Sequence, residues 1–211
     1  WDAINRSLSS IDFAAAASPF VDRSVLVQTF TESAETALLL HHAADSELIG
    51  AVVGWVDLTD PDVGTRLNDL LAGPHGGYLR GIRHQVQAER DDRWLCRPSV
   101  LAGLAEVAKR GLVYELLTLP SQLPAAAETV RLLPQLQFVL DHPSKPDIAS
   151  GNTEPWAGEL AKLAAAPNVA AKLSGLVTEA EWLSWSADDL APYGDTARKL
   201  FGPLRLMFGS G

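Results

Sequence analysis

The chain has 211 residues, 47% of them hydrophobic and 20% charged, the make-up of an ordinary globular protein long enough for one sizeable core. A formal charge of −9 argues against a nucleic-acid partner, which needs a basic face, and against an anionic membrane surface. The single cysteine, Cys96, excludes an intrachain disulfide and a thiolate metal cluster, and fits a reducing, cytoplasmic setting.

In chain order, residues 24–28 (SVLVQ) read as a first strand, and residues 32–44 as a helix with Thr31 as its N-cap. A long apolar run, 48–58, reads as the second strand and is too short to span a bilayer. Asp60-Pro61 then opens a helix over 62–71. Strands follow at 79–86 (LRGIRHQV) and 112–118 (LVYELLT), separated by a helix over 98–109 that Gly111 ends. The rest of the chain reads as helix 123–133, strand 137–142 (QFVLDH), helix 154–165, strand 169–175 (VAAKLSG), helices 178–184 and 187–201, and strand 204–210. Trp156 and Trp182 fall on helices, where packing is the expected role.

Most of the strand runs are apolar throughout instead of alternating, as parallel strands covered on both faces require. Strand–helix alternation predicts a parallel α/β protein. No strand is followed by GxGxxG or GxxxxGK[ST], which disfavours an open nucleotide-binding sheet. Seven strands against the eight of a closed barrel point to a (β/α)₈ TIM barrel without its first strand and last helix in these residues. With no linker-like break in composition, residues 1–211 read as a single domain.

In such a barrel, catalytic groups stand at the carboxyl ends of strands. There the sequence offers Gln28, Asp57, the Arg83-His84-Gln85 run, Glu115, Asp141-His142, and Lys172 with Ser174. His142 and His84 can each be a site imidazole or a satisfied core histidine. Arg83 can bind substrate or pair with an acid such as Glu115 across the mouth, and Lys172 can line the site or snorkel. His41 and His42 are adjacent on a helix and point apart, so they are surface or packing residues, and His75 lies in a glycine-rich loop.

The segments GIRHQVQAERDDRWL at 81–95, FVLDHPSKP at 138–146, PNVAAKLSGL at 167–176 and FGPLRLMFGS at 201–210 resemble the amidohydrolase-related family, and within it the sugar-lactonase branch. The resemblance implies a small-molecule substrate and a barrel mouth holding one divalent metal, zinc or manganese. It makes His142 a catalytic imidazole and metal ligand, and implies substrate contacts from Arg83 and His84. Glu115 and Lys172 join them as candidate substrate-binding residues on the same rim. In that family a His-x-His pair ends the first strand and an aspartate on the last strand acts as base. Here no His-x-His occurs, and the last strand runs Phe208-Gly209-Ser210-Gly211, with glycine in place of the aspartate.

The expected reaction is metal-assisted opening of a cyclic ester, a sugar-acid lactone. The alternatives are a related barrel decarboxylase or an amide or aromatic-lactone hydrolase, and a non-catalytic binding protein on a degenerate barrel. A homo-oligomer is a further expectation.

Overall fold

The computed structural model describes residues 9–17 and 21–209. Seven strands form one sheet: β1 (Ser24–Val27), β2 (Ile49–Gly54), β3 (Leu79–His84), β4 (Val113–Leu116), β5 (Phe138–Leu140), β6 (Val169–Leu173) and β7 (Leu206–Phe208). Spatial order equals chain order, and every neighbouring pair is parallel. Each strand therefore pairs with the next, and the order never reverses to create the switch point of a doubly wound sheet. This is the winding of a barrel wall.

Among the described residues, seven α-helices accompany the strands: α1 (Ser10–Ala17), α2 (Ser33–Ala44), α3 (Val63–Ala72), α4 (Pro98–Lys109), α5 (Leu123–Leu132), α6 (Trp156–Ala164) and α7 (Ala187–Phe201). The strands' period of two sorts their side chains onto two faces. On the face that α2, α4, α6 and α7 cover stand Val52, Ile82, Tyr114, Leu116, Phe138, Leu140 and Ala171, all sealed from solvent. They belong to one contiguous apolar core that also takes in Leu67, Leu104, Leu160 and Phe201. Register puts Gly81 and Arg83 level with Val113 and Glu115, and Glu115 level with Val139. The same alternation places Arg83, Glu115, Asp141 and Lys172 on the other, concave face.

Several boundaries differ from the sequence reading. The strand expected over 48–58 ends at Gly54, because Thr36 on α2 caps the chain there: its hydroxyl accepts from the Trp55 amide at 2.8 Å and donates to the Trp55 carbonyl at 3.1 Å. Thr31 does not cap α2; the N-cap position is Glu32 and makes no side-chain bond. The helix expected over 178–184 is a single 3₁₀ turn, Leu176–Glu179, followed by a turn that leaves Trp182 and Leu183 exposed, so Trp182 packs against no core. Helix α1 was not expected at all. Its signal was present, since Ser9 and Asp12 cap each other, with the Ser9 amide donating to Asp12 at 2.8 Å. Among the described residues, no helix is long and apolar enough to cross a membrane.

Candidate active site

Five buried or half-buried polar side chains meet on the concave face at the carboxyl ends of the strands. Arg83 on β3 donates from Nη1 to Asp141 Oδ2 at 2.7 Å, and from Nη2 to the Gln28 carbonyl and to Gln28 Oε1 at 3.3 Å. Gln28 returns a bond from Nε2 to the Arg83 carbonyl at 3.2 Å. Lys172 on β6 reaches Glu115 Oε2 at 2.6 Å and Asp141 Oδ1 at 2.7 Å. Most of these contacts skip a strand: Gln28 just past β1 meets Arg83 on β3, Arg83 meets Asp141 just past β5, and Glu115 on β4 meets Lys172 on β6, while Lys172–Asp141 joins neighbouring strands. Side chains from alternate strands meeting in one layer are how a barrel fills its interior.

Of the readings open for these residues, Arg83 pairs with an acid, which is Asp141 and not Glu115, and Lys172 does not snorkel but is pinned between two carboxylates. The four charges sum to zero, and each buried ion has an opposite partner, which is the condition for burying it. Burial pushes the Glu115 carboxyl above the usual carboxylate range, reinforced by the charge of Asp141 and opposed by Lys172.

His142 stands beside this group, directly after Asp141. Its backbone is left-handed, with φ 50°, and Ser144 and Lys145 share that conformation at 57° and 49°. Such backbone is costly in residues with side chains and persists where the surroundings over-determine it. Here they do. The Ser144 hydroxyl meets Thr118 Oγ1 at 2.7 Å, Trp156 donates its indole N–H to the Pro143 carbonyl at 2.7 Å, and the Lys145 amide donates to the His142 carbonyl at 2.8 Å. The His142 ring is fixed through Nδ1, 2.9 Å from the Ser174 hydroxyl. Its Nε2 bonds to none of the described residues, on a side chain that is half-buried. Burial holds the imidazole below its ordinary pKa; Asp141 opposes this, and Lys172 and Arg83 add to it.

His84 is seated differently. Trp55 donates its indole N–H to Nδ1 at 3.0 Å, and the ring stacks on Trp94 with centroids 4.3 Å apart. Because indole is only a donor, Nδ1 must be the acceptor, and the ring proton sits on Nε2, where it faces Glu89 Oε1 at 2.9 Å. Both nitrogens are thus taken by the protein. Of the other candidates, Asp57 caps the turn at Thr59 (amide at 2.8 Å, hydroxyl at 2.6 Å) and Gln85 donates to the Thr29 carbonyl. His41 pairs with Asp45 at the surface, and His75 is exposed. The sequence reading gave no role to Glu89, and no spacing or periodicity marked it.

Surface hollows of 560 and 630 Å³ lie elsewhere, one between α5 and α6 and one at the amino ends of β1 and β2; no residue of the rim lines either. Among the described residues, no three His, Cys, Asp or Glu groups converge to hold a metal ion. Asp141 Oδ2 is bonded by Arg83, and Oδ1 lies 2.7 Å from the Lys172 ammonium as a charge contact without a well-directed hydrogen bond, which leaves His142 Nε2 as the one uncommitted imidazole nitrogen of the rim. The residues present do not fit a metal centre, and no step below runs through one.

The amidohydrolase family model matches residues 6–211. The chain belongs to the amidohydrolase family. It is 38% identical over 193 residues to an L-fucono-1,5-lactonase of Burkholderia ambifaria, covering 90% of this chain and 64% of that protein. It is 40% identical over 197 residues to an L-fucono-1,5-lactonase of Burkholderia multivorans, covering 89% of this chain and 65% of that one. The chain thus spans a little under two thirds of these curated relatives. A crystal structure of a Burkholderia multivorans amidohydrolase with bound zinc superposes with a TM-score of 0.91 at 35% identity, covering 99% of this chain and 75% of that one.

Proposed function

We propose that this amidohydrolase chain carries the substrate-facing rim of a hydrolase that opens a sugar-acid lactone, on a wall that an eighth strand completes into a (β/α)₈ barrel. The observation that carries the substrate class is the neutrality of the concave face. Arg83 and Lys172 are the cations buried there, and Asp141 and Glu115 occupy both. A carboxylate-bearing substrate needs a free cation to replace its lost hydration. An uncharged lactone ring with hydroxyls needs donors and acceptors, which a neutral polar floor supplies. The two relatives named as L-fucono-1,5-lactonases support the same class.

Opening the ring requires water to add to the lactone carbonyl while losing a proton, after which the ring C–O bond breaks and the leaving oxygen gains one. His142 suits the proton transfer. Its lowered pKa keeps the imidazole neutral and able to accept near neutral pH, and Nε2 is the unbonded nitrogen. The proton taken from water returns to the ring oxygen, and a hydroxy acid leaves. Zinc or manganese is implied by the family, and one similar structure holds zinc; metal analysis of the full-length protein reads its presence directly.

The test is turnover of a panel of aldonolactones, L-fucono-1,5-lactone among them, by the full-length protein with zinc or manganese supplied. Hydrolysis of one or more, lost in His142→Ala, supports the proposal. Inactivity on the whole panel, or turnover only of carboxylated lactones, sinks it.

A further inference from the structure

We propose that Glu89 is a specificity-determining residue: its carboxylate, aimed by His84, accepts hydrogen bonds from ring hydroxyls of the lactone. The inference rests on the reading of the protein as a lactone hydrolase, and it is independent of which group takes the proton from water. Glu89 directly follows a short 3₁₀ turn, Val86–Ala88, on the loop that leaves the carboxyl end of β3. Gln85 on this loop donates to the Thr29 carbonyl just past β1, so the two loops meet across the end of the intervening β2. The Gln87 amide donates to the Leu117 carbonyl at 3.0 Å, and Gln122 donates to the Val86 carbonyl at 2.8 Å, which ties the loop to the end of β4 as well. Glu89 therefore stands at the rim on backbone anchored from both sides.

The direction of each bond here is fixed. The Trp55 indole can only donate, so His84 Nδ1 accepts, and Nε2 carries the hydrogen that Glu89 Oε1 takes at 2.9 Å. Trp94, stacked on the ring, holds its plane. One carboxylate oxygen is thus committed. The other, Oε2, bonds to none of the described residues, no Lys or Arg among them pairs with the carboxylate, and the side chain is 30% exposed. Glu115, Asp141 and Asp57, the other acids at strand ends, are taken by Lys172, by Arg83 and by Thr59. A carboxylate preset by one donor accepts hydroxyl hydrogens strongly, because the acceptor is ionic and little ordering remains to be done on binding. A sugar lactone carries such hydroxyls, and an acceptor fixed on the rim reads their positions without touching the carbonyl.

The experiment pairs deletion of substrate hydroxyls with Glu89→Gln in the full-length protein. Kinetics are measured on the best aldonolactone of the panel and on its monodeoxy analogues. Gln keeps the size of the side chain and an oxygen for the His84 N–H, and removes the ionic acceptor. For the aldonolactone, KM should rise roughly tenfold to a hundredfold, the worth of a hydrogen bond to a charged group, while kcat changes less than about threefold. One monodeoxy lactone should cost the wild type a similar factor in kcat/KM, and cost Glu89→Gln less than about threefold, since the bond is already lost. A role confined to supporting His84 cannot produce that coupling. Glu89→Asp keeps the charge but withdraws it by a methylene, and reads the same coupling if Glu89→Gln does not fold. Equal losses in wild type and variant across the series, or unchanged kinetics in Glu89→Gln, overturn the inference alone. A wild type that opens no lactone overturns the reading on which the inference rests, and the inference with it.

Discussion

Arg83 on β3 and Asp141 just past β5 meet at 2.7 Å across the intervening strand, with the aspartate side chain sealed from solvent. Asp141 also takes Lys172, so one carboxylate neutralises two buried cations. Replacing it by Asn leaves both cations short of a partner. We expect Asp141→Asn to lower unfolding free energy by about 3–5 kcal/mol, the usual cost of breaking a buried pair from one side. Urea denaturation measures it, and a loss under about 1 kcal/mol would show that the network tolerates the missing charge.

Gly175 has φ 66°, a conformation that costs a residue with a side chain roughly 1–2 kcal/mol, and a Cβ there would also run into the His142 ring. Gly175→Ala is expected to lose more activity than stability, because the imidazole must turn away to make room. Thermal melting beside the lactone assay separates the two effects. Full activity in a destabilised variant would contradict the close approach of ring and backbone.

The pH dependence of stability follows from His142. Burial holds its folded pKa below the ordinary 6.5, so the unfolded chain binds the proton first as pH falls. The ring's contribution is present above about 6.5, and is lost as pH drops through the folded value. His142→Gln removes this contribution, so its stability should fall less steeply than the wild type's over the acid side of that range. Equal slopes in chemical denaturation across pH 7 to 5 would refute the burial effect.

Trp94 is buried and stacks face to face on His84. Trp94→Ala removes a large core side chain as well as the platform under the ring, and should cost about 3–5 kcal/mol. Trp55→Phe keeps the bulk but deletes the donor to Nδ1. It should cost far less stability while letting the His84 ring change tautomer, a difference that calorimetry and ring NMR would resolve.

Strand positions were legible because parallel strands leave dense apolar runs, and the seven runs correspond to the seven strands. Their ends were not, since β2 is ended by Thr36, a side chain on the preceding helix whose contact the strand's own residues do not reveal. The turn at residues 178–184 carries Trp182 and Leu183, which look like the apolar side of a helix; only the fold shows that both are exposed. The rim residues could be found one by one from their places at strand ends. Who pairs with whom could not, because Arg83–Asp141 and Lys172–Glu115 each jump over a strand, and linear order points first to nearer neighbours. Glu89 shows itself only in the fold, where its carboxylate faces His84 Nε2 at 2.9 Å.

Strands two apart in a flat sheet lie about 9–10 Å from each other. The bonds from Gln28 through Arg83 to Asp141, and from Lys172 to Glu115, close that interval with side chains of fixed reach. They therefore set how tightly the wall bends at its carboxyl end, and with it the width of the opening a substrate must enter. Glu115→Asp shortens one of these tethers by a methylene without altering charge. It makes the bore of the mouth an adjustable quantity, governed by side-chain length on β4, the strand beside the one that leads into His142.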